Sequence, residues 1–166
     1  MVTWEQYGDV GYIKIKEFHN NTPAQFNTAL KQLTGNGVKA LIFDVRNNPG
    51  GTIDSVVDML DTLLPEGDLV SATYHDGHTE VGTSDADEVN LPMVVITNEN
   101  TASAAELFAQ AIKDYNKGRT VGTQTYGKGV MQTIYPLSDG GALSITVAKY
   151  NPPKSENFDG VGVKPD

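Results

Sequence analysis

The strongest constraint on the fold is the segment Ala40–Val45, which is apolar except for Asp44 and is followed at once by the turn residues 46–51. A short apolar run of this kind is typical of a strand that is buried on both faces of a sheet. A second run of the same character, Pro92–Thr97, occurs later in the chain. Segments with helical spacing separate the strand-like runs. This alternation predicts a largely parallel sheet covered by helices, which is an α/β fold.

Three helices are predicted from apolar residues that recur at intervals of three and four. The first begins at Thr22, where a following proline and then Gln25 form a capping-box pattern, and it ends at a pair of glycines. The second lies over 53–64, and the third carries its apolar face over 107–115.

The other strands are predicted from shorter alternating or apolar patterns. They are Tyr12–Ile15, Leu69–His75, His78–Val81, Val130–Tyr135 and Ala142–Tyr150. Asp76 and Gly77 form a two-residue turn signal between the second and third of these segments. The sequence therefore predicts a β-hairpin in addition to the main sheet.

The composition excludes several classes of function. The chain carries 12 Lys+Arg against 21 Asp+Glu, a formal net charge of −9, whereas a nucleic-acid binder needs a basic surface to displace counterions. Because there is no cysteine, disulfides, thiolate metal ligands and cysteine nucleophiles are ruled out. No apolar run approaches the roughly 20 residues that span a bilayer. We therefore expect no nucleic-acid partner, and any membrane contact to come from flanking segments.

Residues 1–166 are expected to form one domain, because compact domains commonly have about 100–200 residues and 39% of this chain is hydrophobic. Val2 leads almost directly into a strand-like alternation, and Asp166 ends the chain without a terminal helix or polar tail. These features indicate a domain excised from a longer protein.

Ser103 is the first candidate functional residue. It stands three residues before Glu106, which is capping-box spacing, so one interpretation is that it only caps the third helix. The other interpretation is catalytic, because a serine at a strand-to-helix turn points outward from the carboxyl edge of the sheet, where α/β sites cluster. The free amides of the helix start, including that of Ala104, could then stabilise an oxyanion.

A serine nucleophile needs a base, and none of the three histidines is a good candidate. His19 lies in a polar stretch, and His75 and His78 flank the predicted hairpin turn, where exposed side chains or a weak metal site are the alternatives. Lys128 is the better base, since its glycine-rich and apolar surroundings disfavour the charged amine and only the neutral amine accepts a proton.

The Lys128 segment has two other interpretations. Lys128 could be a solvated turn residue, as most lysines are. Residues 122–128 also have the two glycines and the lysine of a phosphate-binding loop, but Gly129 stands where that loop has Ser or Thr, and a strand follows instead of a helix. We therefore reject the nucleotide-binding interpretation. Gln132 could orient the amine through its amide oxygen if the chain bends at Gly129.

Five segments in order carry a resemblance to a known family. They are Phe43–Gly51, Val94–Asn98, Thr101–Glu106, Gly122–Gln132 and Gly160–Asp166. The sequence resembles the C-terminal processing peptidases, also called tail-specific proteases, which are serine endopeptidases with a Ser-Lys pair. The resemblance implies a crotonase-like fold, a polypeptide substrate with an accessible C-terminus, no metal or organic cofactor, and an extracytoplasmic bacterial location.

The resemblance also implies roles for individual residues. The nucleophile of the family falls on Ser103, its base on Lys128 and its supporting glutamine on Gln132. The oxyanion hole falls on Ala104 together with either Gly50 or Gly51, and the motifs leave that choice open.

The chain departs from the family pattern in three respects. Members usually carry a PDZ domain before this core, and none is found in this sequence, a departure that bears on substrate selection more than on bond cleavage. Thr101 and Ala105 also stand where serine is frequent in the family, and neither change should abolish the chemistry.

Two other functions compete with the peptidase. A non-catalytic peptide-binding module on the same fold would bind unfolded chains without any dependence on Lys128. A crotonase-like enzyme acting on acyl thioesters would need a carboxylate near the site, and Asp44 and Glu106 are the only ones nearby in sequence.

Overall fold

The computed structural model describes all 166 residues as nine strands and three helices, in an α/β arrangement. In chain order these are β1 (Val2–Tyr7), β2 (Val10–Ile15), α1 (Thr22–Gly35), β3 (Ala40–Asp44), α2 (Ile53–Asp61), β4 (Gly67–Tyr74), β5 (Thr79–Ser84), β6 (Met93–Thr97), α3 (Ala104–Asp114), β7 (Gly118–Gly122), β8 (Val130–Pro136) and β9 (Ala142–Asn151). None of the three helices is long and apolar enough to cross a bilayer.

The main sheet has five strands in the order β1-β2-β3-β6-β7. Strands β2, β3, β6 and β7 run parallel, and only β1 is antiparallel to its neighbour. The predicted parallel sheet is therefore confirmed. Because β3, β6 and β7 are adjacent and parallel, the three loops that follow them emerge at the same edge of the sheet.

A second sheet has four antiparallel strands in the order β5-β4-β9-β8. The predicted hairpin is present as β4 and β5, but it is half of a larger sheet, because β9 pairs with β4 and brings β8 with it. Strand β8 is therefore an edge strand of the second sheet, and the loop that joins it to β7 connects the two sheets.

Strands β1 and β7 were not predicted from the sequence. Both are edge strands of the main sheet, and each buries only one residue, Val2 in β1 and Thr120 in β7. Strand β7 has a single large apolar residue, Val121, so it has no apolar alternation to detect. Its position is determined by pairing with a neighbour.

The start of α1 differs from the predicted capping box. Thr22 is the first helical residue, and the cap position belongs to Asn21, whose side chain makes no capping hydrogen bond. The Gln25 side chain instead accepts hydrogen bonds from the backbone nitrogens of Met1 and Val2, both at 3.0 Å. This glutamine therefore ties β1 to α1.

The core is one cluster of 32 buried residues, contributed by the main sheet, the helices, the second sheet and the segment after it. At its centre, the Phe43 ring of β3 lies 5.5 Å from Phe108 of α3 and 5.7 Å from Phe26 of α1, measured between ring centroids. Phe18, in the loop before α1, lies 5.8 Å from Phe108. These aromatic contacts fix α3 against β3, and therefore fix the residue that begins α3.

The last residue of β3, Asp44, is a fully buried carboxylate. It accepts hydrogen bonds from Tyr12 Oη at 2.6 Å and from Arg46 Nη2 at 2.7 Å, and it pairs with Lys14 Nζ at 3.3 Å. Burial alone would raise the pKa of Asp44, but the hydrogen bonds from Arg46 and Tyr12 outweigh it and hold that pKa well below its usual value. Asp44 therefore anchors the start of the 45–52 loop as an anion.

We expect Asp44→Asn to lower the free energy of unfolding at pH 7 by about 2–3 kcal/mol, because the amide loses charge-assisted hydrogen bonds. A folded-state pKa that lies below the unfolded one contributes stability above the unfolded value, about pH 4, and this contribution is lost as the pH falls further. The difference between wild type and variant should therefore shrink below about pH 4. Urea unfolding from pH 3 to pH 8 measures it.

Asp9→Asn is the control, since Asp9 is exposed and its side chain makes no hydrogen bond. If Asp44→Asn were as stable as Asp9→Asn at pH 7, the anchoring role of Asp44 would be wrong.

Candidate active site

Three loops meet at the carboxyl edge of the main sheet and are joined by hydrogen bonds. Thr101 Oγ1 donates to the Val45 carbonyl at 2.9 Å, which links the loop after β6 to the loop after β3. The Ala102 amide donates to the Asn48 carbonyl at 2.9 Å and strengthens the same link. The Tyr126 amide, in the loop after β7, donates to the Thr101 carbonyl at 3.0 Å. The site is built where these loops touch.

Ser103 is the residue immediately before α3. Its backbone has φ 56° and ψ −123°, in the positive-φ region that non-glycine residues rarely adopt. Such conformations persist where the surrounding structure enforces them, and they cluster at functional sites. The Ser103 amide donates to Glu106 Oε2 at 2.8 Å, which is the contact that the glutamate of a capping box makes. A strained, half-buried serine and the start of α3 are therefore combined in one turn.

Glu106 does more than cap the helix. Its carboxylate is fully buried and forms no ion pair. It accepts four hydrogen bonds, from the amide of Ser103 (2.8 Å), Thr125 Oγ1 (2.5 Å), the amide of Gly127 (2.7 Å) and the amide of Lys128 (2.8 Å). Three of these donors lie in the loop after β7. Glu106 therefore fastens the lysine loop to the start of α3.

An open cleft of about 440 Å³ contains the candidate residues. Its lining includes Ser103, Lys128 and Gln132 together with Gly51 and Tyr150. Lys128 is half-buried, and no carboxylate forms an ion pair with its amine. The structure thus brings a serine hydroxyl, a lysine amine and a glycine turn to one cavity, although they come from three separate loops.

The glycine turn after β3 lies directly against the start of α3. A Cβ atom on Gly50 would lie 2.8 Å from Ser103 Cβ and 3.0 Å from the Ala104 nitrogen, and one on Gly51 would overlap the Phe18 carbonyl oxygen at 1.8 Å. Only glycine fits at either position. The Gly50 amide donates to Asn48 Oδ1 at 2.8 Å, whereas the amides of Gly51 and Ala104 have no acceptor within the protein. Gly51 and Ala104 are therefore the free donors.

Gln132 lines the cleft, but no hydrogen bond joins it to Lys128. Its side chain is exposed, and it follows a register shift in which Met131 pairs with Ala148 and Gln132 with Thr146. A bulge of this kind redirects side chains along a strand.

Two cleft residues were not singled out from the sequence. Tyr150 is a fully buried residue of β9 whose hydroxyl donates to the Lys128 carbonyl at 2.6 Å. Asp54, in the first turn of α2, is the one acidic residue that lines the cleft. Tyr150 fits the alternating pattern of its strand, and Asp54 the preference for acidic residues at helix starts. Neither position carries a local signal of function.

The histidines lie apart from the cleft. His78 stacks on Tyr74 with 4.2 Å between ring centroids and contacts Asp76 Oδ1 at 2.7 Å, whereas His75 Nε2 lies 3.0 Å from the Thr146 carbonyl. No group of three or more potential ligands is placed to hold a metal ion. His19 lies 3.1 Å from Glu17, in the loop before α1.

Neither carboxylate invoked for the thioester enzyme faces the cleft. Asp44 is held by Tyr12 and Arg46, and Glu106 is saturated by backbone and hydroxyl donors. Neither residue belongs to the cleft lining. Asp54 is the one carboxylate in the cleft lining that remains for that alternative.

We expect Glu106→Gln to lower the free energy of unfolding by about 2–4 kcal/mol, because the amide replaces acceptor oxygen with a donor that faces other donors. Amide hydrogen exchange at 125–128 should rise more than elsewhere, since the loop loses its attachment to α3. Urea unfolding and exchange mass spectrometry measure the two effects.

Glu99→Gln is the matched control, because Glu99 is exposed and accepts one hydrogen bond from Thr123 Oγ1 at 3.0 Å. Equal exchange at 125–128 in the two variants would contradict the role of Glu106.

Comparisons with known proteins place the chain in a family. The model of peptidase family S41 matches residues 9–166. The chain is 37% identical over 159 residues to the chloroplastic C-terminal processing peptidase of Tetradesmus obliquus, and 37% identical over 158 residues to the carboxyl-terminal-processing protease of Synechocystis sp.. Each alignment covers 95% of this chain, and the matched parts are 34% and 37% of the two relatives. The chain thus spans about a third of the length of these curated relatives.

Solved structures agree with the sequence relatives. The photosystem II D1 C-terminal processing protease superimposes with a TM-score of 0.88 at 34% identity, over 99% of this chain and 47% of that one. Mature CPAF superimposes with a TM-score of 0.75 at 17% identity, over 99% and 48%, which shows the shared fold. With the family model matched over nearly the whole sequence and the fold shared with a D1 processing protease, this chain belongs to peptidase family S41.

Proposed function

We propose that this chain is the catalytic core of a serine endopeptidase that hydrolyses peptide bonds in extended or unfolded polypeptides, near their C-termini, through a Ser-Lys acyl-enzyme mechanism. The observation that carries the proposal is the single cleft lined by Ser103, Lys128 and Gly51. A nucleophile, a base and free amide donors in one cavity are the components that acyl transfer requires.

In the proposed reaction the neutral Lys128 amine accepts the hydroxyl proton as Ser103 Oγ attacks the substrate carbonyl. The resulting oxyanion accepts hydrogen bonds from backbone amides at the start of α3 and in the glycine turn. Lys128 then gives the proton to the leaving amine, and an acyl-enzyme remains on Ser103. Water, deprotonated in turn by Lys128, releases the acyl group. Gln132 borders the same cleft and contacts substrate or the amine when the site is occupied.

The hydrogen bonds of the glycine turn favour one oxyanion hole over the other. The Gly50 amide is already used by Asn48 Oδ1, whereas those of Gly51 and Ala104 are unused. We therefore assign the oxyanion donors to Gly51 and Ala104. The hydrogen bond from Gly50 keeps the turn rigid, so the Gly51 amide needs little reorganisation.

An extended substrate suits the surroundings of the cleft. Strand β8 is an edge strand of the second sheet, and its residues Val130, Met131 and Gln132 line the cleft. A sheet edge offers unpaired backbone groups to an added strand, which binds main chain with little demand on sequence. The names of the relatives from Tetradesmus obliquus and Synechocystis sp. point to C-terminal processing. An extracytoplasmic site of action follows from the family resemblance alone.

Ser103→Ala and Lys128→Ala should each reduce cleavage of an unstructured polypeptide at least about 10³-fold, because a nucleophile and its base act as a unit. Wild-type cleavage should increase from pH 6 to pH 10, as the fraction of neutral lysine amine increases. Mass spectrometry of the products across this range measures both effects and locates the cleavage sites.

Lys149→Ala provides the matched control, since Lys149 is exposed on β9 and does not line the cleft. If wild type and all variants gave the same result, the peptidase proposal would fail. Binding of the same polypeptide, unchanged in Lys128→Ala, would then indicate the non-catalytic peptide-binding module.

A further inference from the structure

Tyr150 is a buried titratable residue that the proposed reaction does not use. Its ring is completely inaccessible in β9 and packs edge-on against Phe158, with 5.7 Å between ring centroids. Its hydroxyl reaches out of the core to the cleft and donates to the Lys128 carbonyl at 2.6 Å. Tyr150 therefore connects the core to the backbone of Lys128, the candidate base.

Lys128 is held on both sides of its Cα atom. Its amide donates to Glu106 Oε2 at 2.8 Å, and its carbonyl accepts from Tyr150 Oη. The two partners come from different elements, α3 and β9, and each is fully buried. Because both flanking peptide groups are held, the direction in which the Lys128 side chain leaves the backbone is fixed.

The segment around the second partner is fastened as well. The Tyr150 amide donates to the Gly129 carbonyl at 3.3 Å, and Asn157 Nδ2 donates to the same carbonyl at 2.8 Å. The Gly129 amide donates to Asp159 Oδ1 at 2.9 Å. The backbone around Gly129 and Tyr150 is thus held by several hydrogen bonds. Within this segment, the Tyr150 hydroxyl is the side-chain group that contacts the Lys128 carbonyl.

We propose that Tyr150 is a positioning residue, whose hydroxyl sets the orientation of Lys128 toward Ser103 and thereby sets the rate of proton transfer. This inference rests on the proposed Ser-Lys mechanism. Proton transfer requires near-contact distance and alignment, and small displacements of a catalytic group cost large factors in rate. Burial raises the pKa of the Tyr150 phenol well above its usual value, although the neighbouring Ser103 side chain opposes this shift. The phenol therefore remains a hydrogen-bond donor throughout the assay range.

The primary test is Tyr150→Phe, which removes the hydroxyl and keeps the ring. We expect kcat to fall about 10- to 100-fold with KM changed less than about twofold, because binding surfaces are kept and the base is misplaced. The dependence of kcat on pH should also shift, since the amine changes its surroundings. Replacing Tyr150 with 4-aminophenylalanine, which retains a donor at the same place, should restore most of the activity.

Tyr115→Phe is the matched control. Tyr115 also donates its hydroxyl to a backbone carbonyl, that of Asp68 at 2.8 Å, but it does not line the catalytic cleft. Loss of Lys128 positioning should appear only in Tyr150→Phe, whereas a loss of stability in either variant is read from its melting temperature. Melting temperatures of both variants are measured beside the kinetics.

A second measurement does not depend on activity. In protein labelled with 13C at lysine Cε, the Lys128 resonance is identified by its loss in Lys128→Arg. It should move in Tyr150→Phe and stay in place in Tyr115→Phe. If wild type cleaves nothing, the peptidase proposal fails, and this resonance still tests whether Tyr150 orients Lys128.

Two results would overturn the inference. One is an unmoved Lys128 resonance in Tyr150→Phe, and the other is a kcat within twofold of an active wild type. If Tyr150→Phe does not fold, 4-methylphenylalanine at the same position fills the volume of the hydroxyl without a donor, and the same two readouts apply to it.

Discussion

The candidate site depends on one buried carboxylate. Glu106 accepts hydrogen bonds from the turn that presents Ser103 and from the loop that presents Lys128, so it joins two segments that have no covalent connection nearby. A buried anion without a cationic partner is costly unless hydrogen bonds satisfy it. Here four donors satisfy the Glu106 carboxylate, and the three that belong to the lysine loop are held in place by these hydrogen bonds. The need to satisfy this charge is therefore what orders the lysine loop.

The main sheet makes that arrangement possible. Strands β3, β6 and β7 are parallel neighbours, so the glycine turn, the Ser103 turn and the lysine loop begin at one edge. Hydrogen bonds from Thr101 and Ala102 then hold the first two together. Packing of Phe108 against Phe43 fixes α3 over β3. The strained backbone of Ser103 is held by the Glu106 carboxylate and lies directly against Gly50.

Much of this could be predicted from the sequence, and the failures have common physical causes. Buried strands and amphipathic helices carry strong patterns, so β3, β6 and the three helices were found. Edge strand β7 has one large apolar residue and leaves no pattern, and β1 was not assigned although its Val2 and Trp4 alternate. The Thr22–Gln25 pattern has the spacing of a capping box, but Gln25 binds the backbone of β1 instead. Local spacing cannot show that a distant strand will compete for a side chain.

The sequence by itself determined the fold class, the family resemblance, and the identities of Ser103, Lys128, Gln132 and the glycine turn, because each is encoded within a few consecutive residues. Only the tertiary structure decided which glycine amide is free, since the Asn48 side chain takes the one from Gly50. It also revealed the second role of Glu106 and the contact between Tyr150 and Lys128. These depend on pairing among residues that are 19 to 22 positions apart. Such pairings follow from sheet order and burial, which short-range spacing does not encode.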